Sequence, residues 1–275
     1  MTRLLTFILA LAGLTAAFHA SGSESPERVR ANALRQLKKA DQQLQPKLYD
    51  SLINAAKKQD KLQKQLDYLS RNPPRQSSGN TQVQYEKKLE NYRQSLEQSK
   101  SVCDNMAGSM NNLAGDVSGS LSTLTQQDSS ETSLLTARAD SLCTYTLTEN
   151  ASPGYRMVEM IKYAKQIEQC INNINSNING IRQRASIYAR NRQKFAVIGK
   201  RYSRDNGGKR ASGNANYNSA CSTIQTHISS LLSSYDSAIS SGNGMINQLA
   251  QARGRLGEKL AALRKAMQTP MPATP

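Results

Sequence analysis

The chain has 275 residues and a formal net charge of +16, with 36 Lys and Arg against 20 Asp and Glu. It contains no tryptophan, three phenylalanines and two histidines, and Gln, Asn and Ser fill much of the remainder. Such a composition can cover thin helical seams but not a thick globular core, and the cationic surplus favours anionic partners such as phospholipid headgroups, polyanionic glycans or nucleic acid. That surplus is uneven: it is strong in 161–210, moderate in 21–100, and reversed in 101–160.

Residues 1–20 read as a secretory signal peptide that is removed. Met1-Thr2-Arg3 is a short basic start, Leu4 to Phe18 is apolar, and small residues at Ala17 and Ala20 offer cleavage points. The apolar run falls short of the ~20 residues a membrane span needs, and no later run approaches that length. The expectation is an exported protein, periplasmic, on the cell surface or secreted.

The N-terminal helical segment, 21–74, opens with Ser25 as N-cap, Pro26 at the first helical position and Glu27 at the positive end of the dipole. Leu34, Leu37, Leu44, Leu48, Leu52, Ala55, Leu62, Leu66 and Leu69 recur near helical spacing, interrupted by Asp41. Pro46 should kink or split this helix, and Asn72-Pro73-Pro74 ends it. Residues 75–80 form a turn or linker before the main bundle, 75–268.

The second helix carries a 4-3 repeat through Tyr85, Leu89, Tyr92, Leu96, Ser99, Cys103, Met106, Met110, Leu113 and Val117, which turns Cys103 inward. Gly108, Gly115 and Gly119 weaken its far end, so 115–133 is expected to be a loop or frayed helix. A short third helix, 134–147, carries Cys143 and stops at the turn 150–154.

The fourth helix runs over 155–202. Its stripe is Ile161, Ala164, Ile167, Ile171, Ile174, Ile178, Ile181, Ala185, Tyr188, Phe195, Ile198 and Tyr202, and the 3 and 4 spacing of the isoleucines decides against a strand. A loop over 205–216 turns the chain into the last helix, 217–267, about 75 Å long if continuous. That helix repeats Tyr217, Cys221, Ile224, Ile228, Leu231, Tyr235, Ala238, Gly242, Met245, Leu249, Ala252, Leu256 and Leu263, with Lys259 the one charged interruption. The repeat leaves open whether Gly242-Asn243-Gly244 breaks the helix. Residues 269–275 are expected to be a disordered tail.

Four cysteines in an exported chain, Cys103, Cys143, Cys170 and Cys221, imply two structural disulfides. Four cysteines allow three pairings: a hairpin with its loop over 115–131 would bring Cys103 level with Cys143 as the first choice, leaving Cys170 for Cys221, whose offsets about the 205–216 loop are unequal. There is no CxxC and no histidine cluster, so no zinc site is expected.

The most pointed local feature is the basic run from Arg182 to Arg210. On a helical projection Tyr188, Phe195 and Tyr202 lie on the apolar seam, while Arg182, Arg190, Lys194, Lys200, Arg201 and Arg204 lie opposite and form a cationic ridge, the candidate anion-binding surface. The mature part has one histidine, His227, and no GxSxG, HExxH or P-loop surrounds any nucleophile, base or phosphate site. The chain is read as no enzyme, with no cofactor, no metal and no small-molecule substrate.

The fold expected is all-α: an elongated antiparallel helical bundle or coiled-coil-like rod of four to five helices with two disulfides. The function expected is that of an exported structural or interaction protein of the bacterial envelope. By analogy of architecture it would be an accessory subunit of a secretion or conjugation apparatus. Its helical seams would meet protein partners or further copies of itself, and its ridge an anionic surface. The alternatives are a secreted α-helical pore-forming toxin, suggested by the low charge of 211–252, and an exported nucleic-acid binder using the basic run.

Overall fold

The structure is a computed structural model that describes residues 24–43, 46–75, 78–207 and 215–269. Residues 1–20, expected to be a signal peptide, most of the expected tail and most of the expected 205–216 loop lie outside the described residues. Among the described residues there are five helices: α1 Pro26–Gln43, α2 Pro46–Arg71, α3 Gly79–Thr144, α4 Pro153–Gly207 and α5 Ala215–Gln268. The described residues contain no strand.

Local chemistry accounts for the helix ends. The Arg28 amide donates to Ser25 Oγ at 3.3 Å, which caps α1 with Pro26 as its first residue. Pro46 opens α2 as a separate helix. At the far end of α3, Lys259 of α5 reaches across and its ammonium donates to the carbonyls of Cys143 and Tyr145 at 3.4 and 3.2 Å. A cation on these terminal carbonyls satisfies acceptors that have no partner within the helix.

α3 corrects the expected loop over 115–133, because all 66 of its residues are helical. At 1.5 Å per residue it is about 100 Å long and absorbs the expected third helix. The reason is that the 4-3 seam does not stop at Val117: Leu121, Leu124, Asp128, Thr132, Ala139 and Leu142 continue it and are buried. Gly115 and Gly119 stand on the exposed side. Their propensity cost, up to about 1 kcal/mol each, is outweighed by the ~1.5–3 kcal/mol gained on burying each of Val117, Leu121 and Leu124.

Cross-helix hydrogen bonds fix the directions. Ser99 Oγ donates to the Ala55 carbonyl and Ser120 Oγ to Gln36 Oε1, so α1 and α2 run end to end and antiparallel to α3. Ser118 with Ser234 and Arg255 with Asp140 make α5 parallel to α3. Arg192 with Asp236 and Arg264 with Glu168 make α4 antiparallel to α5. α5 runs unbroken through Gly242 and Gly244. Gly242 is buried, and a Cβ there would stand 3.1 Å from Ile181 Cγ2, so this glycine lets α4 and α5 approach closely.

Two apolar clusters fill the rod. One joins α1, α2, the middle of α3, the last part of α4 and the first half of α5, around Met110, Leu124, Phe195, Tyr202, Ile224 and Tyr235. The other joins the end of α3, the first half of α4 and the second half of α5, around Leu142, Ile167, Ile174, Leu249 and Leu256. The expected stripes shift at three points: Leu34 and Ile161 are exposed, the core taking Ala33, Met160 and Tyr163 beside them, and Leu260 continues the α5 seam past Lys259.

The expected pairing of Cys103 with Cys143 and of Cys170 with Cys221 fails on this geometry. No disulfide joins the four cysteines. Cys103 and Cys143 sit on one continuous helix, about 60 Å apart along its axis, whereas a disulfide needs Cα atoms ~4.4–6.8 Å apart. Cys170 lies in the cluster around Leu256 and Cys221 in the one around Ile224, more than 30 residues apart along α5, roughly 50 Å.

Candidate interaction surface

The cationic ridge rides on the outer side of α4. Tyr188, Phe195 and Tyr202 are buried in the first cluster, where Phe195 stacks on Tyr235 with ring centroids 5.8 Å apart. The apolar floor that holds them fixes the opposite face outward, so Arg182, Arg190, Lys194, Lys200 and Arg201 are all exposed. The Arg204 side chain lies outside the described residues.

The ridge is partly neutralised. Lys194 Nζ is 3.4 Å from Asp41 of α1 and Arg201 is 3.7 Å from Asp50 of α2. Among the described carboxylates none lies within ion-pair distance of Arg182, Arg190 or Lys200, which leaves three guanidinium or ammonium groups facing solvent. An anion approaching this face would meet fixed charge without a closed pocket, an arrangement that gives non-specific, salt-sensitive attraction.

One arginine of the basic run points inward and has a different job. Arg184 of α4 grips Asp128 of α3 with both guanidinium arms, one at 3.0 Å, and Arg30 of α1 reaches the same carboxylate at 3.1 Å and Glu131 at 2.9 Å. The Asp128 side chain is 8% exposed and that of Arg184 13%. One turn further along, Asn177 Nδ2 donates to Thr132 Oγ1 at 3.4 Å, both residues buried. This polar layer sits where α1 begins, between the two apolar clusters. Burying a charge is tolerable only when it is paired, so the layer fixes the height at which α1, α3 and α4 meet.

The sequence reading missed the layer, although a signal was present. Counting on from Val117 in steps of four and three reaches Leu121, Leu124 and Asp128, a carboxylate on an apolar seam that required a buried cation. Arg184 lies within the basic run in sequence, and its angular position alone sets it apart.

The remaining titratable groups are structural in their surroundings. Burial pushes the Cys103 and Cys170 thiols up, the opposite of the depressed pKa a nucleophilic thiolate needs, and the Cys103 thiol donates to Gln59 Oε1 at 3.7 Å. Burial likewise raises Tyr188 and Tyr235 to about 12. At the α3–α4 turn Tyr145 stacks on Tyr163 at 4.1 Å and its hydroxyl donates to Glu159; burial first and that carboxylate second raise it to about 12. His227 is half-buried on α5. Among the described residues no group of His, Cys, Asp and Glu is arranged to hold a metal ion, and no helix is long and apolar enough to cross a membrane.

No protein-family model, no curated protein and no solved structure matches this chain.

Proposed function

We propose that this protein is an exported, non-enzymatic interaction rod of the bacterial envelope, an accessory subunit of a secretion or conjugation apparatus, whose α4 ridge faces an anionic partner. The observation that carries the reading is the division of labour along α4. Tyr188, Phe195 and Tyr202 are spent on the core and Arg184 on the buried layer, while Arg182, Arg190 and Lys200 face solvent with no described carboxylate at ion-pair distance. The apolar segment Leu4 to Phe18 behind Arg3 supports export. Thin seams spread over very long helices suit a scaffold that presents surfaces, not one that encloses a substrate.

The experiment is a pull-down of the mature protein from envelope extract at low and then high salt. Bound proteins are identified by mass spectrometry, and lipid and nucleic acid by staining. The reading expects a defined envelope protein retained at high salt, with anionic material bound only at low salt and reduced by Arg190→Ala with Lys200→Ala. Recovery of lipid or nucleic acid alone, lost at high salt, would contradict the assembly function.

A further inference from the structure

The α2–α3 end of the rod is built differently from the rest. Beyond the level of Cys103 the first cluster ends, and among the described residues α3 is packed there by α2. Leu62 and Leu96 are buried there but belong to neither cluster. The 4-3 repeat of α3 nevertheless continues unchanged through Tyr85, Leu89 and Tyr92, which are only half-buried, as are Leu66 and Leu69 opposite. Everywhere else a seam of this quality is covered by a third helix; here, among the described residues, no third helix covers it.

A groove of about 560 Å³ runs along this uncovered side. Its floor is Leu69 and Tyr92, its rim carries Lys61, Lys64 and Lys88, and Tyr68 stands over it 67% exposed. Asp60 answers Lys64 at 3.0 Å, and no described carboxylate answers Lys61 or Lys88 at ion-pair distance. Lys57, Lys61, Lys64 and Tyr68 follow one another in steps of four, three and four, so the cationic rim keeps the same helical period as the seam it borders.

We propose that this groove is a docking site for an amphipathic helix of a partner protein whose flanking positions are acidic. Apolar positions of that helix pack between α2 and α3 on Leu69, Tyr92 and Tyr68, while Glu or Asp beside its seam face Lys61, Lys64 and Lys88, as flanking charges do in a coiled coil. Charge selects the occupant. A second copy brought tip to tip would set lysines against lysines, in a chain whose net charge is +16. The inference rests on the reading of the chain as an interaction rod and names one of its surfaces, a different one from the α4 ridge.

The test uses a fluorescein-labelled 21-residue peptide with Leu at heptad positions a and d and Glu at the flanking positions, titrated with the full mature protein by fluorescence anisotropy. A control peptide carries Lys for Glu. The expected result is binding of the acidic peptide at least tenfold tighter than the basic one, weakened about tenfold by Lys61→Glu with Lys64→Glu and several-fold by Tyr68→Ala, and unchanged by Arg264→Ala at the far end of the rod. All of these side chains are exposed, so the variants should fold, which circular dichroism verifies. Equal binding of both peptides, no binding, or binding indifferent to the tip variants would overturn the proposal. A concentration-dependent dimer abolished by Tyr68→Ala would overturn it in favour of a second copy. In the envelope pull-down, a partner retained by the tip variants would sink the groove while leaving the interaction reading intact.

Discussion

Removing the carboxylate of Asp128 tests the logic of the buried layer most sharply. Asp128→Ala leaves Arg184 with its charge almost wholly buried and no described acid at ion-pair distance, whereas Arg30 retains Glu131 at 2.9 Å. Breaking a buried pair by deleting one partner costs about 3–5 kcal/mol, and the surviving Arg30–Glu131 contact places the loss near the low end, about 3 kcal/mol. For a chain of this size each kcal/mol moves Tm by roughly 2–4 °C, so a fall of roughly 6–12 °C is expected in far-UV circular dichroism. Asp128→Leu combined with Arg184→Met replaces the pair by apolar groups and should recover most of the loss, to within about 1 kcal/mol of the parent. An exposed pair serves as control: Arg264→Ala, opposite Glu168, should cost no more than about 1 kcal/mol. If Asp128→Ala unfolds within about 0.5 kcal/mol of the parent, the carboxylate is not desolvated and the layer does not hold the helices in register.

The exposed glycines of α3 give a test of its continuity: Gly115→Ala and Gly119→Ala meet nothing within 4 Å, so each should stabilise by about 0.5–1 kcal/mol in urea denaturation, while a loop at this position would return no gain. On α5, Gly244→Ala should stabilise likewise, but Gly242→Ala should not, because the new methyl meets Ile181 Cγ2 at 3.1 Å; equal gains at both would contradict the close α4–α5 approach. Phe195→Ala should cost about 3–5 kcal/mol by emptying the space against Tyr235, measured by the same denaturation. The raised tyrosines set an alkaline limit. Because Tyr145, Tyr163, Tyr188 and Tyr235 are held protonated up to about 12 in the folded chain while the unfolded phenols ionise near the usual value of about 10, stability is fully present below pH ~10 and falls between pH ~10 and ~12. A spectrophotometric phenolate titration should show these four ionising late or only with unfolding; a single unperturbed transition would refute the burial.

Much of the architecture was legible because it rests on periodicity and on residues with few conformational options. Ser25-Pro26 marked the start of α1, Pro46 divided α1 from α2, and the α5 repeat from Cys221 to Leu256 marked a single long seam. What was hidden was hidden by composition. Between Gly115 and Ser133 local propensity points to a loop, yet Val117, Leu121 and Leu124 keep the seam, and tertiary packing overrides propensity. The failure of the Cys103–Cys143 pairing follows directly, since it assumed a hairpin where the helix runs straight. Lys259 looked like an interruption because its target, the carbonyl end of α3, is far away in sequence. On the ridge, sequence angle alone separated outward Arg182, Arg190 and Lys200 from the rings beneath them, but it could not show that Asp41 and Asp50 cross over to meet Lys194 and Arg201.

Both the ridge and the tip groove depend on one property, that the chain is a rod as long as α3. Small-angle X-ray scattering of the monomeric protein measures it directly. The rod gives a maximum dimension of at least about 100 Å and a radius of gyration near 30 Å, against roughly 18 Å for a compact domain of the same length. A radius of gyration close to the compact value would mean that α3 folds back on itself, and with it the account of both surfaces would fall.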